Sequence, residues 1–298
     1  MPSTVIWNGD AADNAFSTAG NFVGDAAATD NDSVTLPMMS ADSTRDIDGS
    51  DETDTELGGF TIEKNCGIDI GSSATPLSID MNDSTSLNLA GTGTTYLHVD
   101  NDVAGGVTAL NVTQAGRGTG TAYGMNLKGA AVIATANIRA SAGEVISLAA
   151  NAGETGAYTT INVWGGTVYI GSGVTATTLN VFGGEVYCRA SIATIFQSGG
   201  KLTLQKAVAC STSLTVQGGV CYEQSTGTKA AVHIADDGMV DATDCPAAPW
   251  TVVDIYGEGQ LKDPNKKITF AGHITLNYAK MKQVDRGEHM NVTLAAVS

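Results

Sequence analysis

Thr160-Ile161-Asn162-Val163-Trp164-Gly165-Gly166-Thr167-Val168-Tyr169-Ile170 returns almost residue for residue as Thr178-Leu179-Asn180-Val181-Phe182-Gly183-Gly184-Glu185-Val186-Tyr187-Cys188. A third copy reads Thr194-Ile195-Phe196-Gln197-Ser198-Gly199-Gly200-Lys201-Leu202-Thr203-Leu204, and a fourth Ser213-Leu214-Thr215-Val216-Gln217-Gly218-Gly219-Val220-Cys221-Tyr222. Weaker copies lie at Val232-His233-Ile234 and Val253-Asp254-Ile255. The doubled glycines of these four copies begin at positions 165, 183, 199 and 218, and further turns fall near Asp237-Gly238 and Gly257-Glu258-Gly259. A recurrence at this near-regular spacing marks a solenoid.

Within each copy apolar residues alternate with polar ones on both sides of the glycines, as at Ile161, Val163, Val168 and Ile170. That is strand periodicity with one face inward. Glycine in a strand is unfavourable, so its recurrence at one register marks a corner that needs unusual dihedrals. A single coil of this length orders more backbone than its few inward side chains can compensate. Stacking supplies the missing hydrogen bonds and seals each apolar layer against the next. The repeat therefore predicts an all-β chain, a parallel β-helix (β-solenoid) with coils of about 16–20 residues.

The alignment also places the cysteines. Cys188 falls in register with Ile170 and Leu204, and Cys221 with Val168, Val186 and Leu202, which are core positions. Cys66, Cys188, Cys210, Cys221 and Cys245 form an odd set without a CxxC pair, so zinc and redox motifs are absent and the thiols read as small buried hydrophobes. The first half repeats the habit less regularly, in Ser86-Leu87-Asn88-Leu89-Ala90-Gly91, Ala109-Leu110-Asn111-Val112 and Tyr123-Gly124-Met125-Asn126-Leu127-Lys128-Gly129. The expected organisation is a solenoid body over residues 59–298, clearest over 158–262, behind a non-repetitive N-terminal cap over residues 1–58.

Composition agrees. The chain has 298 residues, 42% of them apolar, 36 glycines and only 15% charged residues, too apolar for a disordered chain and poor in long helix formers. The formal charge of -16 comes without a basic cluster, which speaks against nucleic acid and an anionic membrane surface as partners. No run approaches the roughly 20 apolar residues that span a bilayer. The opening Met1-Pro2-Ser3-Thr4-Val5-Ile6-Trp7 lacks the basic and apolar regions of an export signal. It reads as a chain made in a host cytoplasm.

Residues up to about Gly58 carry an acidic run through Asp42, Asp46, Asp48, Asp51, Glu52, Asp54 and Glu56. Calcium is the sharper reading of Asp46, Asp48 and Asp51, since closely spaced carboxylates suit a hard cation. The spacing is not that of an EF-hand loop, and a charge run more commonly lies in water, so no metal or other cofactor is expected.

Trp7-Asn8-Gly9, Asn14-Ala15-Phe16, Asn21-Phe22 and Asp32-Ser33-Val34-Thr35-Leu36 together resemble the opening of bacteriophage structural proteins and of autotransporter-like β-solenoids, with Phe22 where a tryptophan is commonest. The resemblance covers the chain as far as Leu36 in motif and the rest in repeat style. It implies a virion or surface role. Trp7, Phe22 and Trp250 are the aromatics that would anchor a partner if exposed, and otherwise belong to the core.

Signals of catalysis are missing. Gly71-Ser72-Ser73 and Gly171-Ser172-Gly173 lack the nucleophile-elbow spacing, and Gly116-Arg117-Gly118-Thr119-Gly120 lacks the third glycine and helix of a nucleotide loop. His98, His233, His273 and His289 are far apart in sequence and show no metal-ligand spacing. A glycosidase needs only two facing carboxylates, which folding can bring from distant coils. The expectation is a non-enzymatic structural component of a phage particle, a capsid decoration or head-fibre-like protein on the virion surface. Its partners would be the major capsid protein or other virion proteins and copies of itself, in trimers. The alternatives are a tail spike or receptor-binding protein recognising cell-surface glycan, possibly a depolymerase, and a bacterial adhesin.

Overall fold

The computed structural model describes residues 3–11, 13–82, 87–102, 107–116, 123–271, 274–277, 284–285 and 292–294. The chain is all-β, 53% strand and 1% helix, and every pairing between its strands whose register is resolved is parallel. It folds as a parallel β-helix in two units, one of Met1–Thr159 with Gly165–Gly173 and one of Thr160–Trp164 with Val174–Ser298.

In the first unit one face is built by the strands Thr4–Ile6, Ser33–Leu36, Gly59–Ile62, Leu87–Leu89 and Ala109–Val112 and by the end of the long strand Met125–Arg139. Val5, Val34, Phe60, Leu87, Leu110 and Ala136 stand in one register column, and the numbering of that column shows long coils throughout. The second face carries Ile79, Val99, Leu127, Leu148 and Ile170 in a column. The side chains of both columns are buried. Between neighbouring strands of the first face Asn111 Nδ2 donates to Asn88 Oδ1 at 2.8 Å, and Asn137 Nδ2 donates to Asn111 Oδ1 at 3.0 Å. This amide ladder pairs side chains outside the core with the same parallel register that pairs the backbone.

The expected N-terminal cap is instead part of the stack. Thr4–Ile6 and Ser33–Leu36 pair with each other, and Ser33–Leu36 pairs onward with Gly59–Ile62. The acidic run, expected as a solvated loop, forms the strand Asp51–Leu57, paired with Leu77–Met81 across an irregularity between Glu52 and Glu56. Its carboxylates remain largely outside while Leu57 turns in, so acidity and strand pairing are compatible. Long coils, in which the doubled glycine Gly58-Gly59 does not recur at a regular spacing, hid the period of this region.

In the second unit the columns are Leu179, Ile195, Leu214, Val232, Val253 and Ile274 on one face and Val186, Leu202, Cys221, Val240, Leu261 and Val284 on the other. The coils here are shorter than in the first unit, as the closer numbering of these columns shows. Cys188 pairs with Leu204 and Cys221 with Leu202, as the repeat alignment requires.

The two glycines of each corner have different duties. A Cβ on Gly183 would lie 2.5 Å from the carbonyl oxygen of Trp164 in the preceding coil, while Gly184 has φ +76. The first glycine permits the close approach of coils, and the second supplies the left-handed bend. Gln197 occupies a core column between Val181 and Val216. Its Nε2 donates to the carbonyls of Gly199, Gly200 and Val220 at 3.3, 3.1 and 3.1 Å, which ties the corner down from inside.

Candidate functional site

A groove of about 590 Å³ lies on the second face of the first unit. Alternation in the strands Leu77–Met81 and Leu97–Asp100 and at the start of Met125–Arg139 builds it. Leu77, Ile79, Leu97, Val99, Met125 and Leu127 point into the core, so the intervening residues form two outer rows. One row is Ser78, His98 and Asn126; the other is Asp80, Asp100 and Lys128. Asp51 enters from the neighbouring coil, and Asn151 and Glu154 from the loop after the strand Val145–Leu148.

Lys128 Nζ bonds Asp100 Oδ2 at 2.6 Å, and this hydrogen bond holds the ammonium above its ordinary pKa. Burial pushes the Asp80 carboxyl up, and the neighbouring charges of Asp100, Glu56 and Asp102 add to that shift. Burial lowers the pKa of His98, so its imidazole is neutral at pH 7. Asn126, 3% exposed, donates through Nδ2 to Glu154 Oε1 at 2.9 Å. A carboxylate only accepts, so this bond fixes the orientation of the amide. Glu154 is held in turn by the N–H and Nδ2 of Asn151 at 3.1 and 3.0 Å. The result is a polar groove lined by Asp51, Asp80, Asp100 and Glu154, one paired lysine and a neutral histidine, suited to ligands that donate hydrogen bonds.

The calcium reading of Asp46, Asp48 and Asp51 meets a different geometry. Ile47 is buried between them and bridges to Ile70, which leaves Asp46 to accept from the Asp69 N–H at 2.8 Å. Asp51 bonds Thr53 and lines the groove. Among the described residues no group of three or more His, Cys, Asp or Glu side chains is placed to hold a metal.

Trp7, Phe22 and Trp250 are buried and present no surface for a partner. Trp7 stacks on Phe16 at 6.2 Å, meets Phe22 edge-on at 5.3 Å and donates its Nε1 hydrogen to the Arg45 carbonyl at 2.9 Å. Trp250 packs edge-on against Phe270. Exposed aromatics of the second unit are elsewhere, at Trp164, Phe182 and Tyr256: Trp164 stacks on Phe182 at 5.0 Å, and half-buried Phe196 lies 6.3 Å beyond. The alternation of Ile161 and Val163 was enough to place Trp164 outward, and position within the repeat was the signal.

His98 lines the groove and His233 Nδ1 lies 3.3 Å from Asp254 Oδ2; His273, His289 and residues 117–120 are outside the described residues. A feature the sequence did not announce sits in the core of the second unit. Lys229 and Glu223 are fully buried and 3.0 Å apart, and Lys229 Nζ also donates to Ser225 Oγ and to the carbonyls of Val208 and Gly227. Burial raises the Glu223 carboxyl pKa, opposed by the Lys229 charge and the Ser225 hydrogen bond. The same burial pushes the Cys188 and Cys210 thiols up to about 12 and Cys245 up to about 11. Such thiols are not nucleophiles at neutral pH.

The fold defines the class: a parallel β-helix protein with a polar, acid-lined groove in its first unit. Comparison with protein families, with curated proteins and with solved structures gives no match to this chain. Among the described residues no helix is long and apolar enough to cross a membrane.

Proposed function

We propose that the chain is a structural component of a bacteriophage particle, a capsid-decorating or head-fibre-like protein that binds the shell without catalysing a reaction. One observation carries this reading. The residues that resemble phage structural openings assemble into one packed turn beside the strands Thr4–Ile6 and Ser33–Leu36. Trp7, Phe16 and Phe22 pack together there with Phe60. Asn21 turns its buried amide to Asp13, Ala15 and the Ala11 N–H, and the Asp32 carboxylate accepts from Ser3 and Thr29. The motif is thus a packed, hydrogen-bonded turn between the paired strands Thr4–Ile6 and Ser33–Leu36. Five unpaired buried thiols fit folding in a reducing host cytoplasm, and a trimer is the proposed state of association with further copies, since homo-oligomers commonly close with point-group symmetry.

Mass spectrometry and immunogold labelling of purified particles test this. The reading expects many copies over the shell. Absence from particles overturns it, and label confined to the tail tip replaces decoration by receptor binding. A second reading, recognition of cell-surface glycan, draws its support from the groove beside His98 and Asp100.

A further inference from the structure

Two acceptor atoms in the groove have no partner. Asp100 Oδ1 and Asn126 Oδ1 are both buried and receive no hydrogen bond. An unmet buried acceptor is costly, which is why nearly all such atoms in folded proteins are paired. The cost is tolerated where a ligand completes the bonding.

The other bonds of these two side chains explain why nothing inside the protein completes them. Asn126 is committed through Nδ2 to Glu154, and Glu154 is fixed by Asn151, so the amide cannot turn its oxygen elsewhere. Asp100 is committed through Oδ2 to Lys128. Each side chain is anchored by one polar atom and leaves the other unused. They sit on adjacent parallel strands, in the two outer rows that floor the groove.

We infer that this groove is a binding site for a sugar residue, whose hydroxyls donate to the carboxylate and amide oxygens of its floor and walls, those of Asp100 and Asn126 among them. This inference rests on the second reading above, and not on the virion-shell reading. The cavity of about 590 Å³ lies within the range of small-molecule sites, about 300–1,000 Å³. Asp51, Asp80 and Glu154 bring further acceptors to its walls. The excess of carboxylates repels anions, so the sugar is neutral or an amino sugar and not a uronic or sialic acid. Neutral His98, with no hydrogen-bond partner among the described residues, can donate through one ring nitrogen and accept through the other.

The test uses the full chain on an array of neutral, amino and acidic glycans, followed by saturation-transfer NMR with methyl hexosides, N-acetylglucosamine and glucosamine. The inference expects binding of neutral or amino sugars and none of acidic ones. Asn126→Leu, which removes the acceptor at similar size, weakens binding about tenfold with an unchanged circular dichroism spectrum. Asp80→Asn, at the groove wall, weakens it without touching the buried amide, and decides the matter if Asn126→Leu does not fold. Silence across the array, a preference for acidic glycans, or full affinity in both variants overturns the inference. Both variants still enter particles if the shell reading holds, so the two readings fail separately. Release of shortened glycan would add hydrolysis to binding at the same groove.

Discussion

The two units solve one packing problem with coils of different length. The second unit climbs from Leu179 through Ile195, Leu214 and Val232 to Val253 in short coils and turns three of its corners on doubled glycines, at 183, 199 and 218. The first needs more chain for each step, as from Val5 to Val34 and from Val34 to Phe60. The core columns are equally apolar in both and buried in both. The extra residues of the first unit therefore do not enlarge its core; they make loops outside it. One such loop, Asn151 to Glu154, is what orients Asn126 in the groove. Short coils leave little chain beyond what the stack needs, whereas long coils have residues to place at a site.

The units also differ in how they handle polar groups, and the sharpest test is in the second. Lys229→Met would strand the buried Glu223 charge and destabilise the protein by roughly 3–5 kcal/mol, whereas Lys229→Met with Glu223→Leu would be near neutral or stabilising. Urea unfolding of both variants measures this, and equal losses would show that the pair is not the origin of the effect.

A smaller effect separates the corners. Gly183→Ala places a methyl against the Trp164 carbonyl and should cost roughly 1–3 kcal/mol. Gly153 in the first unit has φ +85 but nothing within 4 Å of a new Cβ, so Gly153→Ala should lose less, about 1–2 kcal/mol from the left-handed backbone alone. Thermal melts of the two variants rank them. The amide ladder of the first unit is weaker still: Asn111→Leu removes two side-chain bonds, each contributing about 1 kcal/mol, and stability in urea should fall by no more than their sum.

Acid should reach the first unit through Asp32. Burial alone would raise the pKa of this carboxyl, but four hydrogen bonds from Ser3 and Thr29 outweigh it and hold the group far below the usual carboxylate range. A depressed folded pKa means that the unfolded chain binds the proton first. The stabilisation is complete above about pH 4, the ordinary value, and is lost as the pH falls below it. Asp32→Asn should flatten the acid limb of the stability curve, read by melts between about pH 2 and pH 6. The smallest expected signal is a null one. The native protein should not react with a thiol reagent at about pH 8, and all five cysteines should react after unfolding.

Legibility followed regularity. Where Gly165-Gly166 and its successors recur, the strands, the corners and the inward register of Cys188 and Cys221 could be read directly. Residues 1–58 could not be read as coils, because pairs such as Val5 with Val34 are separated by a 3-10 turn and aperiodic loops. The groove was legible only as the generic possibility of facing carboxylates. Ser78, His98 and Asn126 come from three successive coils, and no local motif links them. Trp7, Phe22 and Trp250 illustrate the opposite limit. An aromatic in a conspicuous motif need not be at the surface, whereas the alternation of the repeat turned Trp164 and Phe182 outward.

The stacked register of the doubled-glycine coils supports everything else, and it can be probed directly with paired cysteines on the outer surface. Glu185 and Lys201 are register partners on adjacent strands, about 4.8 Å apart in the pairing direction, while Tyr187 is paired with Thr203 instead. A short bifunctional thiol reagent should bridge Glu185→Cys with Lys201→Cys in the folded protein and leave Tyr187→Cys with Lys201→Cys largely unbridged. Equal bridging of the two pairs, or preference for the second, would contradict the stack.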